Sequence, residues 1–165
     1  MPKYRLLTND ELHQFEKEFI EFLVVNGIEP DKWEKVKESD QASVDKIIEL
    51  FSDVILESVL RNINFIQTKT KSYVQAIHCL PDKMISIAIE DSAKKTQPSQ
   101  KLRSIKKSAK SEKKTKTLSD DNPLSIYKTE QEYKGSRESV IFDFLQKGYQ
   151  ISDGTLFKTL QVASV

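Results

Sequence analysis

YVQAIHCLPDKMISIAIE, Tyr73 to Glu90, is the stretch on which the fold turns. Pro81-Asp82 suits the centre of a type I turn, because proline presets the first turn dihedral. It joins YVQAIHCL to KMISIAIE. In the second run Ile85, Ile87 and Ile89 alternate with Ser86 and Ala88, giving a strand one apolar face and one small or polar face. NFIQTKT lies just upstream, and the three runs together predict a three-stranded antiparallel meander.

Further upstream the period lengthens from two to 3.6. Val44, Ile47, Ile48, Phe51, Val54, Ile55 and Val59 keep helical register from about Ala42 to Asn62 and are expected to form the buried side of a long helix. Before it, Thr8 and Glu11 have capping-box spacing, in which each side chain satisfies a free amide of the helix end. Leu12, Phe15, Phe19 and Phe22 then predict one continuous amphipathic helix, which Asn26-Gly27 stops. Pro30 fits the first turn of a short helix pinned by Trp33.

Downstream, residues 91–122 are rich in Ser, Thr, Gln and Lys and hold no sustained period. A stretch so far beyond ~12–15 residues without structure of its own is expected to be a disordered Lys-rich insertion. After Pro123, LSIYKTEQEYK predicts a fourth strand or an extended arm. SRESVIFDFLQKG predicts a helix, and a last short helix opens at Ser152. The 43 residues from 123 onward are too few for a core of their own and are expected to pack back on the first ninety. The expected fold class is therefore α+β. N-terminal helices, a small antiparallel sheet and two C-terminal helices make one domain from residues 1–90 and 123–165, interrupted by the basic insertion at 91–122.

Charge is divided sharply along the chain. The 165 residues sum to +1, yet from Lys94 to Thr117 ten Lys or Arg stand against one acid, Glu112, a charge of +9. The other 16 basic and 24 acidic residues sum to −8. Lys94, Lys95, Lys101, Arg103, Lys106, Lys107, Lys110, Lys113, Lys114 and Lys116 are thus candidate polyanion-binding residues, since phosphate contact needs positive charge and little else. The segment holds no aromatic residue on which a base could stack, so the RNA contact it predicts is weak, nonspecific and steeply salt-dependent. A solvated loop, or a contact with an acidic protein face, would use the same composition.

Catalytic patterns are sparse. Glycines at 27, 135, 148 and 154 form no phosphate-cradling loop. Cys79 is the only cysteine, so neither an internal disulfide nor a cysteine-based zinc cage is expected. His78 and Cys79 are adjacent on a strand, which aims their side chains at opposite faces. His13 lies on the polar side of the first helix. Glu130 and Glu132 can share a strand face as paired carboxylates, and are expected to form the polar side of an edge strand. Asp153 at the start of the last helix would repel phosphate where a DNA-reading helix attracts it. No enzyme, metal or cofactor is expected, and no apolar run approaches the ~18–20 residues of a membrane span. These features point to a cytoplasmic, non-enzymatic module that docks a protein partner, with an RNA- or ribosome-associated protein as the alternative.

YRLLTNDEL, EFIEFLVVNGI and Trp33, IIELFSDVILESVL and VIFDFLQKGYQISDGTLFKTL resemble a family of small proteins of unknown function found mainly in Bacteroidetes bacteria. That resemblance covers about three quarters of the chain, leaves out the basic segment, and implies a bacterial cytoplasmic protein. It implies no activity, ligand or site residue.

Overall fold

The structure, a computed structural model, describes residues 1–91, 110–114 and 124–164, the middle stretch as backbone only. Its described residues form an α+β fold. The chain divides into two compact units, Met1–Leu60 and Arg61–Val165.

The first unit is helical: α1 (Asn9–Gln14), α2 (Glu16–Val25), α3 (Pro30–Ser39) and α4 (Gln41–Arg61, which ends at the junction). The capping box at its start is formed, with the Glu11 amide donating to Thr8 Oγ1 at 3.3 Å and the Thr8 amide to Glu11 Oε2 at 2.9 Å. The expected single N-terminal helix is two helices. Phe15 leaves helical geometry at φ −103° and ψ 24°, closing α1 and opening α2. The break lets α2 lay Phe19 and Phe22 on Phe51 of α4, at ring separations of 4.9 and 5.4 Å, with Trp33 edge-on to Phe19 at 5.3 Å. Offset and edge-on aromatic pairs of this kind add to the burial that holds the helices together. Pro30 takes the first turn of α3, as its fixed φ favours.

The second unit is built on a six-stranded sheet in the order β4-β5-β3-β2-β1-β6, with every ladder antiparallel. The strands are β1 (Phe65–Lys69), β2 (Tyr73–Cys79), β3 (Lys83–Asp91), β4 (Lys110–Lys114), β5 (Leu124–Glu132) and β6 (Gln150–Ser152). The meander is β1 to β3, its register pairing Ala76 with Ile87 and Ile66 with Ile77. Two helices complete the unit, α5 (Arg137–Gln146) and α6 (Thr155–Ala163). Phe157 and Leu160 of α6 cover Ala76, Ile87 and Ile126 on one sheet face. Phe144 of α5 lies with Gln75, Ile77, Met84, Ser86 and Thr129 on the other. With both faces covered, β2 is buried almost throughout.

Two features had no periodic signal. β6 is only three residues long, and it makes Ser152 the end of a strand, so α6 begins at Thr155 and not at the expected Ser152. Gly154 precedes it at φ +91°, where a Cβ would sit 2.7 Å from the Phe65 ring. Of the expected disordered insertion, Asp91 closes β3 and Lys110–Lys114 pairs with β5 as an edge strand. The remainder, 92–109 and 115–122, lies outside the described residues. At one sheet edge, β6 is too short to offer much further strand pairing.

Candidate functional site

The helical unit carries its distinctive chemistry along α4. Residues 3–7 run beside it as an arm held by polar side chains. The Lys3 and Tyr4 amides donate to Asp53 Oδ2 and Oδ1 at 2.8 and 3.2 Å. The Lys3 ammonium, at 2.9 Å, and the Tyr4 hydroxyl both donate to Glu57 Oε2. Asp53 and Glu57 are four residues apart and so form one row on the helix. Glu57 raises the Lys3 ammonium pKa, and burial first, then Glu57, raises that of the Tyr4 phenol. The Leu7 amide donates to the fully buried Ser52 hydroxyl at 3.1 Å, which seats Leu7 in the core. Next, Arg5 grips Glu11 with two bonds of 2.8 Å. Arg5 and the Thr8 amide together hold the Glu11 carboxyl down to about 2.

The same unit leaves apolar side chains in solvent. Leu50 and Val54 form an i, i+4 pair on α4, and Ile20 and Val24 form another on α2, joined by Val25 at 85 % exposure. Val54 and Val59 were expected among the buried register of α4 but are 53 % and 42 % exposed. This helix is apolar around so much of its circumference that one packed face cannot cover it.

In the sheet unit, His78 and Cys79 are separated as adjacent strand residues should be. His78 is stacked on Phe65 at a ring separation of 4.3 Å and meets Phe157 edge-on at 5.4 Å; desolvation lowers its pKa. The Cys79 thiol is buried, which pushes it up to about 11 and keeps it a poor nucleophile. Glu130 and Glu132 do share a face, and both stand beside Lys83. Lys83 bonds Glu130 at 2.7 Å and lies opposite Glu132 in the register. Asp153 accepts the Thr155 amide at 2.9 Å and so serves the first turn of α6. His13 is exposed on α1. Among the described residues no group of three or more His, Cys, Asp or Glu is placed to hold a metal ion, and no helix is long and apolar enough to cross a membrane.

A buried polar chain runs across the sheet. The Tyr73 hydroxyl, at 2.8 Å, and the Tyr149 hydroxyl both donate to Gln75 Oε1, and Gln75 Nε2 donates to the Ser86 hydroxyl at 2.6 Å. Burial raises both phenols, Tyr149 to about 12. Beside this chain lies a cavity of about 20 Å³ lined by Gln75, Ser86, Thr129, Gln131, Ile77, Met84 and Phe144. Its volume suits a water molecule and not a metabolite. Arg137, half-buried, is a second hub. Its guanidinium donates to the carbonyls of Ile63, of Cys79 at 3.1 Å and of Leu80 at 3.3 Å, and Tyr133 also donates to Leu80 at 2.6 Å. Neither hub stood out in the sequence, because each joins residues more than fifty positions apart.

Among the basic candidates, Lys110, Lys113 and Lys114 fall on β4, whose register sets Lys110 opposite Glu130 and Glu112 opposite Lys128. Lys94, Lys95, Lys101, Arg103, Lys106, Lys107 and Lys116 lie outside the described residues.

No curated protein and no solved structure matches this chain. One family model does, over residues 1–164, a span that takes in the basic segment. The chain belongs to the family of unknown function DUF6495.

Proposed function

We propose that this protein is a non-enzymatic interaction module that docks a protein partner through its helical unit. One observation carries the reading. Ten large apolar side chains are well exposed among the described residues, and eight of them (Met1, Leu6, Ile20, Val24, Val25, Leu50, Val54 and Val59) belong to residues 1–60. Apolar surface gathered in one region is the usual mark of a surface that a partner covers. A reducing, cytoplasmic setting goes with this reading, since the lone Cys79 is a buried free thiol.

A photo-crosslinker placed at Val24 or Leu50 of the full chain tests it. The expected result is one discrete adduct in lysate, competed by excess unlabelled chain but not by a chain carrying Ile20→Gln, Val24→Gln and Leu50→Gln. Adducts that the triple variant competes equally well would overturn it.

The +9 segment from Lys94 to Thr117 favours a second reading, a salt-sensitive contact with RNA or another polyanion. Deleting that segment would also remove β4 from the sheet edge. Replacing its lysines by glutamine is the cleaner test. Loss of RNA binding, with unchanged melting, is the expected outcome.

A further inference from the structure

The helical unit also states the chemistry of its partner. Residues 1–60 hold 14 acidic and seven basic residues, a net charge of −7. The sequence around α2 is rich in acids. From Asn9 to Val25 there are five, Asp10, Glu11, Glu16, Glu18 and Glu21, against the single Lys17. Helical geometry sets Ile20 and Val24 side by side, with Glu16 one turn before Ile20, and with Glu21 on the other side of the stripe together with Lys17. All five side chains are exposed. Glu16, Glu18 and Glu21 form no ion pair among those found between described residues.

Resting on the docking reading above, we infer that the α2 stripe seats a basic amphipathic helix of a partner protein. Its apolar side chains would cover Ile20 and Val24, and its Lys or Arg would flank them against Glu16 and Glu21. Three considerations select this occupant. An apolar i, i+4 pair on a helix is matched by the same spacing on a second helix laid along it. A second copy docking through its own helical unit would set that unit's like net charge of −7 against the first, and like charges juxtaposed across an interface oppose association. RNA is repelled by that charge for the same reason.

The test uses the full chain and a synthetic helical peptide of about 18 residues with Leu on one face and Lys on the other, the length of a five-turn helix. Two companions are the same peptide with Glu for Lys, and a peptide copying residues 94–117. The expected result is amide shifts concentrated in Glu16–Val25 with the Leu/Lys peptide and none with the Leu/Glu peptide. Affinity should fall about tenfold or more in the Ile20→Gln, Val24→Gln chain, and less, with a shallower salt dependence, in the Glu16→Gln, Glu21→Gln chain.

Shifts elsewhere, or equal binding of the Leu/Glu peptide, would refute the assignment. Concentration-dependent α2 shifts without peptide would do the same in favour of a second copy. Equal seating of the 94–117 peptide would transfer the site to the chain's own basic segment. A crosslinked partner that meets Val24 through an acidic or neutral segment would end this inference while leaving the docking reading intact. Absence of any competed adduct ends both.

Discussion

The two units put their polar and apolar groups in opposite places. The sheet unit buries polarity: Thr68, Gln75, Glu90 and Thr129 are inside it, whereas Ser52 is the one buried polar side chain found in the described residues of the helical unit. The helical unit exposes apolarity, with eight of the ten well-exposed large apolar side chains. Their charges differ too. Residues 1–60 sum to −7, while the segments 61–91 and 124–165 of the sheet unit hold nine basic and eight acidic residues. A sheet covered on both faces must satisfy every polar group internally, because an unpaired buried donor or acceptor costs ~1–3 kcal/mol. The exposed face of a helix has no such constraint, so what it shows there is free to serve something other than folding.

The comparison is broken most easily at Phe51. It is 1 % exposed and carries the ring contacts of α2, so Phe51→Ala should cost about 3–5 kcal/mol in denaturant unfolding. A loss below ~1 kcal/mol would mean that α2 and α4 are not packed through this ring. The next largest effect contrasts two glycines. Gly154→Ala must hold a left-handed residue and push a methyl into Phe65, together about 2–4 kcal/mol. Gly27→Ala, at φ +75° with nothing within 4 Å, bears only the backbone penalty of about 1 kcal/mol. Equal melting shifts for the two would deny the close approach of the Gly154 backbone to Phe65.

These positions also show what could be read before folding. The capping box at Thr8 and Glu11, the length of α4 and the β2–β3 hairpin were legible, because each is written in residues close in sequence and enforced by one local period. The break at Phe15 was not, since Leu12, Phe15, Phe19 and Phe22 satisfy one continuous helix equally well and only packing on Phe51 chooses. Gly154, Arg137 and Gln75 acquire their meaning from partners far along the chain, as when Tyr149 reaches Gln75 across 74 positions. The exposed stripe was hidden for a different reason. Periodicity marks which residues are apolar, and Val54 carries the same mark as Phe51 although one faces solvent and the other the core.

Acid separates the units in a third way. Folding holds His78 below its ordinary 6.5, so the unfolded chain takes the proton first. The stability tied to the neutral ring is present above pH 6.5 and is lost as the pH falls below it. Glu11 is depressed from 4.5 to about 2, so its contribution is present above 4.5 and is lost between there and about 2. Two successive losses are expected on acidification, the first read at His78 in the sheet unit and the second at Glu11 in the helical unit. His78→Phe should flatten the first and leave the second. Should the first drop persist in that variant, another group is responsible for it.

The smallest expected effect bears most directly on function. Val24→Gln and Leu50→Gln change side chains that are more than half exposed, so each should change stability by no more than ~0.5 kcal/mol. For Val24 the sign can even be favourable, because a β-branched residue loses side-chain freedom in a helix that glutamine keeps. A melting curve decides between two origins of these side chains. If Val24→Gln and Leu50→Gln cost ~2 kcal/mol or more, they are core residues and the helical surface is apolar for the sake of the fold. If they cost nothing, folding supplies no reason for valine or leucine at positions where glutamine does as well and dissolves better. The reason then lies in whatever those side chains touch outside the chain. A near-zero change in stability together with a lost crosslink at the same position is the pairing that a docking surface requires.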